Sequence, residues 1–395
     1  MRGGIAVGVG LAALVCAAGA QAQELTVYSS LPLSGAARPQ TEAIVRGASL
    51  ALAEAGGAAG GHPIRYVSLN DATRRAGTWT PARVARNARR AGGDRSAIAY
   101  IGEFNSGGSA ISIPILNEAG IPQISPTNTA LGLTRGGPGA GRGEPRKYYP
   151  RGRRTYFRLS PNDSVQGGAL AATMRDRGCR RIAAVHDGEL YGRGVGAWMR
   201  RAARRLGLRT VVTARLHRNA ARVAHRARRA RADCAAYTGI TANGALPLFK
   251  ALARALPAAP LFGSDGIAES GFTGRVPAGV GSRVAITVST LAPSAYPPAG
   301  QDVFRRYAGR YADPNPDPYA VYGYEAMRLV LDAVAAVGPS RRAVIAWLRS
   351  MPLRAGALGT YRFDRFGDTT LRTFGLYGIA GGALQYAGAV TAPGS

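Results

Sequence analysis

The sequence has few of the residues that metal centres and covalent catalysis use. Its 395 residues include only three cysteines and four histidines, with no Cys-x-x-Cys pair and no histidines at metal-ligand spacing. It also lacks a phosphate-binding P-loop, a Gly-x-Ser-x-Gly turn, and a Gly-x-Gly-x-x-Gly turn between a strand and a helix. These absences predict no metal and no cofactor, and they disfavour the common hydrolase and dinucleotide-binding classes.

Long apolar runs are absent except at the N-terminus. There an apolar run over residues 5–18 follows a basic residue and precedes a small-x-small site ending at Ala22, which is typical of a signal peptide. We therefore expect residues 1–22 to be removed by cleavage near Ala22, and an exported chain in the periplasm or cell envelope. No later run reaches the ~20 apolar residues of a membrane span. A lipid anchor at Cys16 is the alternative, disfavoured because Val15 stands where a small residue is expected.

Lysine and acidic residues are scarce relative to arginine. The chain has 51 Lys and Arg against 22 Asp and Glu, a formal net charge of +29, and its only lysines are Lys147 and Lys250. A basic surface can bind nucleic acid or an anionic envelope. The arginines, however, are spread over helical segments such as 82–90 and 199–205, without interleaved aromatic residues. This pattern predicts solvated helix faces and no nucleic-acid partner.

Strand and helix patterns alternate in two successive sets, as in repeated βαβ units. The first set begins at Leu25–Tyr28 and the second at Ile182–His186, and a loop rich in Gly, Pro and Arg over 136–154 is expected to be an exposed insertion between them. The predicted helices are 41–55, one beginning at 80, one beginning at 110, 195–206, 220–232, 245–255, 299–311, 319–337 and 340–350. A mature chain of about 373 residues suits two lobes with a ligand cleft between them.

Two cysteines remain after the signal peptide, Cys179 and Cys234, and each stands beside a strand-like run. In an oxidising compartment such a pair is more often a disulfide than a metal site. In the usual 2-1-3-4-5 order of a doubly wound sheet, the first and third strands are neighbours. Counted from Ile182, those strands are the ones introduced by the two cysteines. We therefore predict a disulfide at the amino ends of adjacent parallel strands.

Residues 98–129 place two hydroxyl-rich turns after two short strands. The turn Asn105–Ser109 follows one strand and opens a helix, and Thr127–Thr129 follows the next. At the carboxyl ends of parallel strands, helix N-termini present unpaired N–H groups and a positive dipole. The segment thus predicts a site for a small anion such as a carboxylate. The alternative, equally open at this point, is that these residues only cap a helix and turn the chain.

Segments spread over nearly the whole mature chain resemble the periplasmic solute-binding proteins of branched-chain amino acid ABC transporters. They are LTVYSSLPLSG, LNDAT, IGEFNSGGSAISIPILNEAGIPQISPTNT, VHDGELYGRGV, YTGITANGA, LFGSDGIAES and YAVYGYEAM. The resemblance implies an α/β, type I periplasmic-binding-protein fold with two doubly wound lobes joined by three hinge crossings, near Phe157, 288–290 and 359–361. The implied domains are lobe 1, residues 23–156 plus 291–358, and lobe 2, residues 157–290 plus 359–395.

The resemblance also implies roles for five residues in binding an amino acid. Ser106 and Thr129, with their backbone N–H groups, would hold the α-carboxylate, and Thr127 would offer an oxygen to the α-ammonium group. Asp265 would pair with that ammonium through a charge-assisted hydrogen bond. Tyr191, expected at an exposed position, would close over the ligand from the second lobe. The alternatives are a locally satisfied buried ring for Tyr191 and a simple Asp-Gly turn at Asp265.

Several positions depart from the branched-chain binders. Arg38 and Ile240 stand where aromatic residues are expected near the ligand side chain, and Glu103 and Asn105 add polar groups beside Ser106. A purely aliphatic side chain would leave such buried polar groups unpaired at a cost. A polar or larger ligand therefore remains open.

The resemblance implies a non-enzymatic function. The expected protein is a monomer that binds an amino acid, branched-chain or related, and delivers it to the permease subunits of an ABC importer. One alternative is a ligand-sensing protein for another small carboxylate or amide. Another is a hydrolytic enzyme on a two-lobed fold, although His186 and Asp187, the nearest acid/base candidates, would point to opposite faces of a strand.

Overall fold

Two open sheets form the framework of the chain, and a computed structural model describes residues 22–217 and 219–392. The predicted signal peptide with Cys16 lies outside the described residues, apart from Ala22. The first eight strands are β1 (Leu25–Leu31), β2 (Ala58–Ala59), β3 (His62–Asn70), β4 (Ala72–Thr73), β5 (Thr78–Trp79), β6 (Ala97–Gly102), β7 (Gln123–Ser125) and β8 (Tyr156–Arg158). The first sheet has the order β2-β3-β1-β6-β7-β8, parallel except at the short β2, and β4 pairs only with β5.

The second sheet contains seven strands. The remaining strands are β9 (Arg181–His186), β10 (Arg209–Arg215), β11 (Cys234–Thr238), β12 (Leu261–Ser264), β13 (Val284–Val288), β14 (Arg354–Gly356), β15 (Gly359–Tyr361), β16 (Thr373–Ala380) and β17 (Ala383–Thr391). The sheet order is β10-β9-β11-β12-β13-β16-β17, with the last two strands antiparallel, and β14 pairs with β15. The five parallel strands of each sheet follow the order 2-1-3-4-5, as predicted for the second.

Helices cover the two sheets. They are α1 (Arg38–Glu54), α2 (Pro81–Gly93), α3 (Ser106–Ala119), α4 (Asp163–Asp176), α5 (Leu190–Arg205), α6 (Ala220–Arg229), α7 (Ala245–Ala255), α8 (Ser270–Thr273), α9 (Ala278–Gly281), α10 (Pro298–Tyr311), α11 (Ala320–Val337) and α12 (Arg341–Ser350). Among them, none is long and apolar enough to cross a membrane. Helix α11 packs on α1, where Gly47 and Gly323 let the two backbones approach closely.

The chain therefore crosses between the halves three times. It leaves the first sheet after β8, returns after β13 through α10 and α11, and crosses again between α12 and β16. A buried ion pair ties the first crossing to the third, because Arg158 Nε lies 2.7 Å from Asp368 Oδ1 and both side chains are almost fully buried. The boundary drawn at residue 156 falls inside β8.

The predicted disulfide is confirmed. Cys179 and Cys234 are bonded, their Cα atoms are 5.8 Å apart, and both residues are buried. Cys234 is the first residue of β11 and pairs in register with Ile182 of β9. The bridge therefore lies at the amino ends of the first and third strands of the second sheet.

The prediction of an exposed insertion at residues 136–154 is wrong in part. Tyr148 and Tyr149 are buried, and the Tyr149 hydroxyl donates to the carbonyl oxygen of Leu133 at 2.7 Å. Gly139 lies against α5 at Gly194. The segment thus packs on the first half through its tyrosines and on α5 through its glycines, while several of its arginines remain at the surface.

Candidate functional site

One cavity lies between turns from both halves, and we call it the ligand cavity. It is small, with a volume of about 40 Å³, close to the share of one water molecule in the liquid. All seven residues singled out from the sequence line it: Asn105, Ser106, Thr127, Thr129, Tyr191, Ile240 and Asp265. Five further residues complete its lining: Phe104, Gly107, Glu189, Gly266 and Tyr319. The structure thus brings together predicted residues that are up to 160 positions apart in the sequence, from Asn105 to Asp265.

The N-terminus of α3 forms one wall of the ligand cavity. Asn105 is in an extended conformation and Ser106 begins the helix, so the first N–H groups lie beyond the reach of intrahelical acceptors. The Ser106 hydroxyl accepts a hydrogen bond from the Ala130 N–H at 3.3 Å, which links α3 to the turn after β7. The helix begins four residues earlier than predicted, and this places its N-terminus directly at the cavity.

The turn after β7 presents hydroxyl groups beside this helix. The Thr127 hydroxyl donates to the carbonyl oxygen of Phe104 at 2.7 Å. Its oxygen can therefore still accept a hydrogen bond from a ligand donor. The Thr129 hydroxyl and Oδ1 of Asn105 are buried and have no partner among the described residues. Since buried polar groups are normally hydrogen-bonded, these two atoms are candidates for ligand contacts.

Asp163, at the start of α4, supports Thr129 from behind. Its N–H donates to the Thr129 carbonyl oxygen at 2.7 Å, and its carboxylate accepts from the Leu131 N–H at 3.3 Å. Burial raises the pKa of Asp163 to about 7, and the positive charge of Arg158 opposes the rise. The turn at Thr129 is therefore held by a residue of the first chain crossing, which the sequence analysis did not single out.

The opposite wall comes from the second half and centres on a hydrogen bond between Tyr191 and Asp265. Asp265 directly follows β12, and the Tyr191 hydroxyl donates to its Oδ1 and accepts from the Gly266 N–H. Burial raises the pKa of Asp265 to about 6, and the bond from Tyr191 opposes the rise. The expectation that Tyr191 is exposed is wrong: it belongs to the first turn of α5 and is 8% exposed.

Ile240 supplies an apolar patch next to Tyr191. Asp187 holds its turn in place by accepting from the Ile240 N–H at 3.1 Å and from the Asn243 amide at 3.0 Å. The same amide donates to Glu189, a second carboxylate at the cavity, whose pKa is raised by burial and lowered in part by that bond. Asp187 is thus a positioning residue.

Two polar residues expected near the ligand lie elsewhere. Glu103 is fully buried behind the cavity, where Oε1 accepts from the Tyr100 hydroxyl at 2.7 Å. Arg38 is at the surface and pairs with Glu42 at 2.6 Å. The sequence argument for a polar ligand side chain from these two residues is therefore wrong. Their places in the sequence put them near the site, but the strand pleat and the helix face turn them away from it.

Two aromatic residues at the cavity were missed by the sequence analysis. Phe104 and Tyr319 pack edge to face, with ring centroids 5.7 Å apart. Tyr319 immediately precedes α11 and begins YAVYGYEAM, one of the segments that carried the family resemblance. That membership was the sequence signal that could have identified it. Its hydroxyl is within hydrogen-bonding distance of Ser289, which directly follows β13. The ring therefore lies beside the second chain crossing.

The two walls are chemically complementary to an α-amino acid. One wall offers hydroxyl and helix N-terminal donors, which suit a carboxylate. The other offers the Asp265 carboxylate, which suits an ammonium group. Together, the two doubly wound halves and the polar cavity between them define a binding protein for a small polar solute.

The comparison with known families agrees with this class. The family model described as periplasmic binding protein matches residues 27–382, and the chain belongs to that family. An amino acid binding protein of Pseudomonas aeruginosa is 25% identical over 356 residues, covering 88% of this chain and 87% of the relative.

Solved structures show the same fold. The leucine binding protein LivK from Thermotoga maritima matches with a TM-score of 0.77 at 20% identity, covering 93% of this chain and 99% of that one. LivJ from Streptococcus pneumoniae, in complex with isoleucine, has a TM-score of 0.77 at 19% identity, with 94% and 100% covered. A solute binding protein of R. palustris, in complex with benzoate, has a TM-score of 0.73 at 22% identity, with 94% and 98% covered. These structures thus show the type I periplasmic-binding-protein fold. The family match makes the chain a binding protein and not an enzyme.

Proposed function

We propose that this protein is the extracytoplasmic solute-binding component of an ABC importer, and that it binds an α-amino acid in the ligand cavity for delivery to the permease subunits. The observation that carries the proposal is the pair of opposed walls. Ser106 and Thr129 would hold the α-carboxylate, and Asp265 with Thr127 would hold the α-ammonium group. Tyr191 and Ile240 would contact the rest of the ligand, and Asn105 would accept a hydrogen bond at the rim.

The polar atoms of the cavity support this arrangement. The Thr129 hydroxyl has no partner in the described part of the chain, and the first N–H groups of α3 lie beside it. A carboxylate would satisfy both kinds of donor. Asp265 already accepts from Tyr191, and an ammonium group next to it would favour the charged carboxylate and lower its pKa.

A second candidate is a protein for a small carboxylate without an ammonium group. The R. palustris relative in complex with benzoate illustrates such a ligand on the same fold, and Phe104, Ile240 and Tyr319 would suit an apolar ring. In that case the wall at α3 would keep its role, and Asp265 would remain without a cation. The role of Asp265 therefore separates the two candidates.

We also propose that the two lobes are residues 23–156 plus 291–358 and 157–290 plus 359–395, with export by a signal peptide and a monomeric mature protein. The three crossings between the sheets support the lobe division.

The cavity volume of about 40 Å³ is far below the usual several hundred Å³ of small-molecule sites. The lobes would therefore have to separate for a ligand to enter.

A thermal-shift screen tests the proposed function. The mature protein would be heated with each amino acid, with benzoate and with unrelated sugars. A ligand at ~100-fold excess over its Kd adds roughly 2.7 kcal/mol to folding stability, which is measurable as a rise in Tm. We expect a rise with at least one α-amino acid and none with its α-deaminated analogue. A rise with benzoate alone would support the second candidate, and no rise with any amino acid or small carboxylate would refute the proposal.

A further inference from the structure

A second, larger cavity adjoins the ligand cavity across the ring of Tyr319, and we call it the acidic chamber. Its volume is about 720 Å³. Helix α1 and the segment 313–319 form one side, and residues 268–273 with the β16–β17 hairpin form the other. Tyr319 lines both cavities. A ligand held at the cleft could therefore extend one group past this ring into the chamber.

The acidic chamber concentrates negative charge in a strongly basic protein. Its lining includes one cation, Arg46, and four carboxylates, from Glu42, Glu269, Asp313 and Asp317, of which Glu42 is paired with Arg38 at the surface. The chain as a whole has 51 Lys and Arg against 22 Asp and Glu. A chamber lined mainly by the scarcer charge favours a cationic occupant.

Glu269 is the least solvated of these acids. Only 8% of the residue is exposed, and it forms no ion pair with any Arg or Lys that the structure describes. Burial raises the pKa of its carboxyl to about 7, with the Thr241 hydroxyl opposing the rise. A buried carboxylate without a cation is costly, and a ligand cation in the chamber would remove that cost.

Aromatic rings complete the chamber. Tyr307, Tyr319, Tyr377 and Tyr386 line it, and the rings of Tyr377 and Tyr386 meet edge to face at 5.3 Å. The faces of aromatic rings attract ammonium groups, more strongly when the cation is desolvated. Carboxylates together with tyrosine faces therefore suit an alkylammonium group better than an anion or an aliphatic chain.

We propose that the acidic chamber binds an alkylammonium group, carried by the side chain of a basic amino acid whose α-amino and α-carboxylate groups occupy the ligand cavity. The proposal deepens the proposed function and rests on it. Asp265 and Glu269 are four residues apart on one turn after β12, so their Cα atoms are at most ~14 Å apart. The two carboxylates would then pair with the two cationic groups of the same ligand.

Calorimetry with four probes tests this inference: lysine, arginine, leucine and 1,5-diaminopentane. We expect the mature wild-type protein to bind lysine or arginine at least tenfold more tightly than leucine. Glu269→Gln should weaken binding of the basic amino acid by roughly tenfold or more, as expected for the loss of a charge-assisted hydrogen bond, and should change leucine binding less than twofold. Glu118→Gln, at an exposed position of α3, is the charge-matched control and should change neither.

Each result bears on the inference. If Glu269→Gln fails to fold, Asp317→Asn replaces it, since an asparagine can still accept the hydrogen bond that Asp317 takes from the Tyr319 N–H. If the diamine binds while lysine, arginine and leucine do not, the chamber is a separate cation site and the inference is overturned; the thermal-shift screen still tests the proposed function. Equal binding of leucine and lysine, unchanged in both variants, would overturn the inference and leave the proposed function standing. No binding of any probe would overturn the inference too.

Discussion

Removing the disulfide should lower the stability of the protein without changing its affinity for ligand. The change is the double variant Cys179→Ser, Cys234→Ser. The bridge closes a loop with a sequence separation of 55 residues, for which the chain-entropy model gives ~4 kcal/mol. With a melting entropy of about 2.1 cal/mol/K per residue, this is a Tm loss of ~5 °C if about 370 residues unfold together. It is ~11 °C if a lobe of about 170 residues unfolds alone.

The affinity should persist because of where the bridge lies. Cys234 begins β11, whereas Ile240 follows the end of the same strand, and Asp265 follows the end of β12. The staple and the ligand cavity are therefore at opposite ends of the parallel strands. Scanning calorimetry would measure Tm, and titration calorimetry would measure Kd for the amino acid found in the thermal-shift screen.

Two results would refute this reasoning. An unchanged Tm in the double variant would show that the bridge does not constrain the unfolded chain as the model assumes. A Kd changed more than about threefold, roughly 0.65 kcal/mol, would show that the amino ends of the strands are coupled to the cavity. The wild-type protein under reducing conditions gives an independent comparison, although its buried sulfur atoms are slow to react.

Three further predictions follow from buried polar groups. Asp368→Asn leaves the fully buried Arg158 without its carboxylate, so urea unfolding should show a loss of ~3–5 kcal/mol, and an unchanged midpoint would contradict the role of this pair. Burial raises the pKa values of Asp71 and Glu103, which lie side by side. In their protonated form they stabilise the folded state fully below the ordinary carboxyl pKa, and this stability is lost as pH rises through the raised pKa values. Glu103→Gln should therefore reduce the fall of Tm with pH, and a parallel Tm curve would argue against it. Tyr191→Phe removes the bond that lowers the pKa of Asp265, so the acid limit of ligand binding should move upward from about pH 6, and an unmoved limit would show that the hydroxyl does not act on Asp265.

Much of the fold was predictable because it depends on alternation and strand order. The two sets of βαβ units and the neighbouring positions of Cys179 and Cys234 follow from the sequence and from the rules of doubly wound sheets. The start of α5 could not be predicted in this way. Its first residues, LYGRGVG, have the composition of a loop, yet Gly192 and Gly196 are helical because their missing side chains let α5 lie against the backbone and side chain of Thr238. Such close contacts depend on the distant partner and leave no local signal.

The candidate site was predictable to a similar extent. Its polar residues lie at strand ends and helix starts, where the sequence pattern marks them. Glu103 and Arg38 were misplaced because one residue of strand pleat or a fraction of a helical turn decides which side chain faces the cavity. Asp163 and Tyr319 were missed because they reach the site through the chain crossings, and only the assembled topology brings them there.

The role of Asp265 is the most direct test of the central claim. Titration calorimetry would compare the wild-type protein with Asp265→Ala, using the α-amino acid that gives the largest rise in the thermal-shift screen. The surface variant Glu118→Gln is the control, because Glu118 is exposed near the C-terminal end of α3, away from the cavity. We predict that Asp265→Ala weakens binding at least ~30-fold, as for a buried cation that loses its partner, with the Tm of the free protein nearly unchanged. An unchanged Kd for Asp265→Ala would contradict the account and reduce this residue to part of a turn.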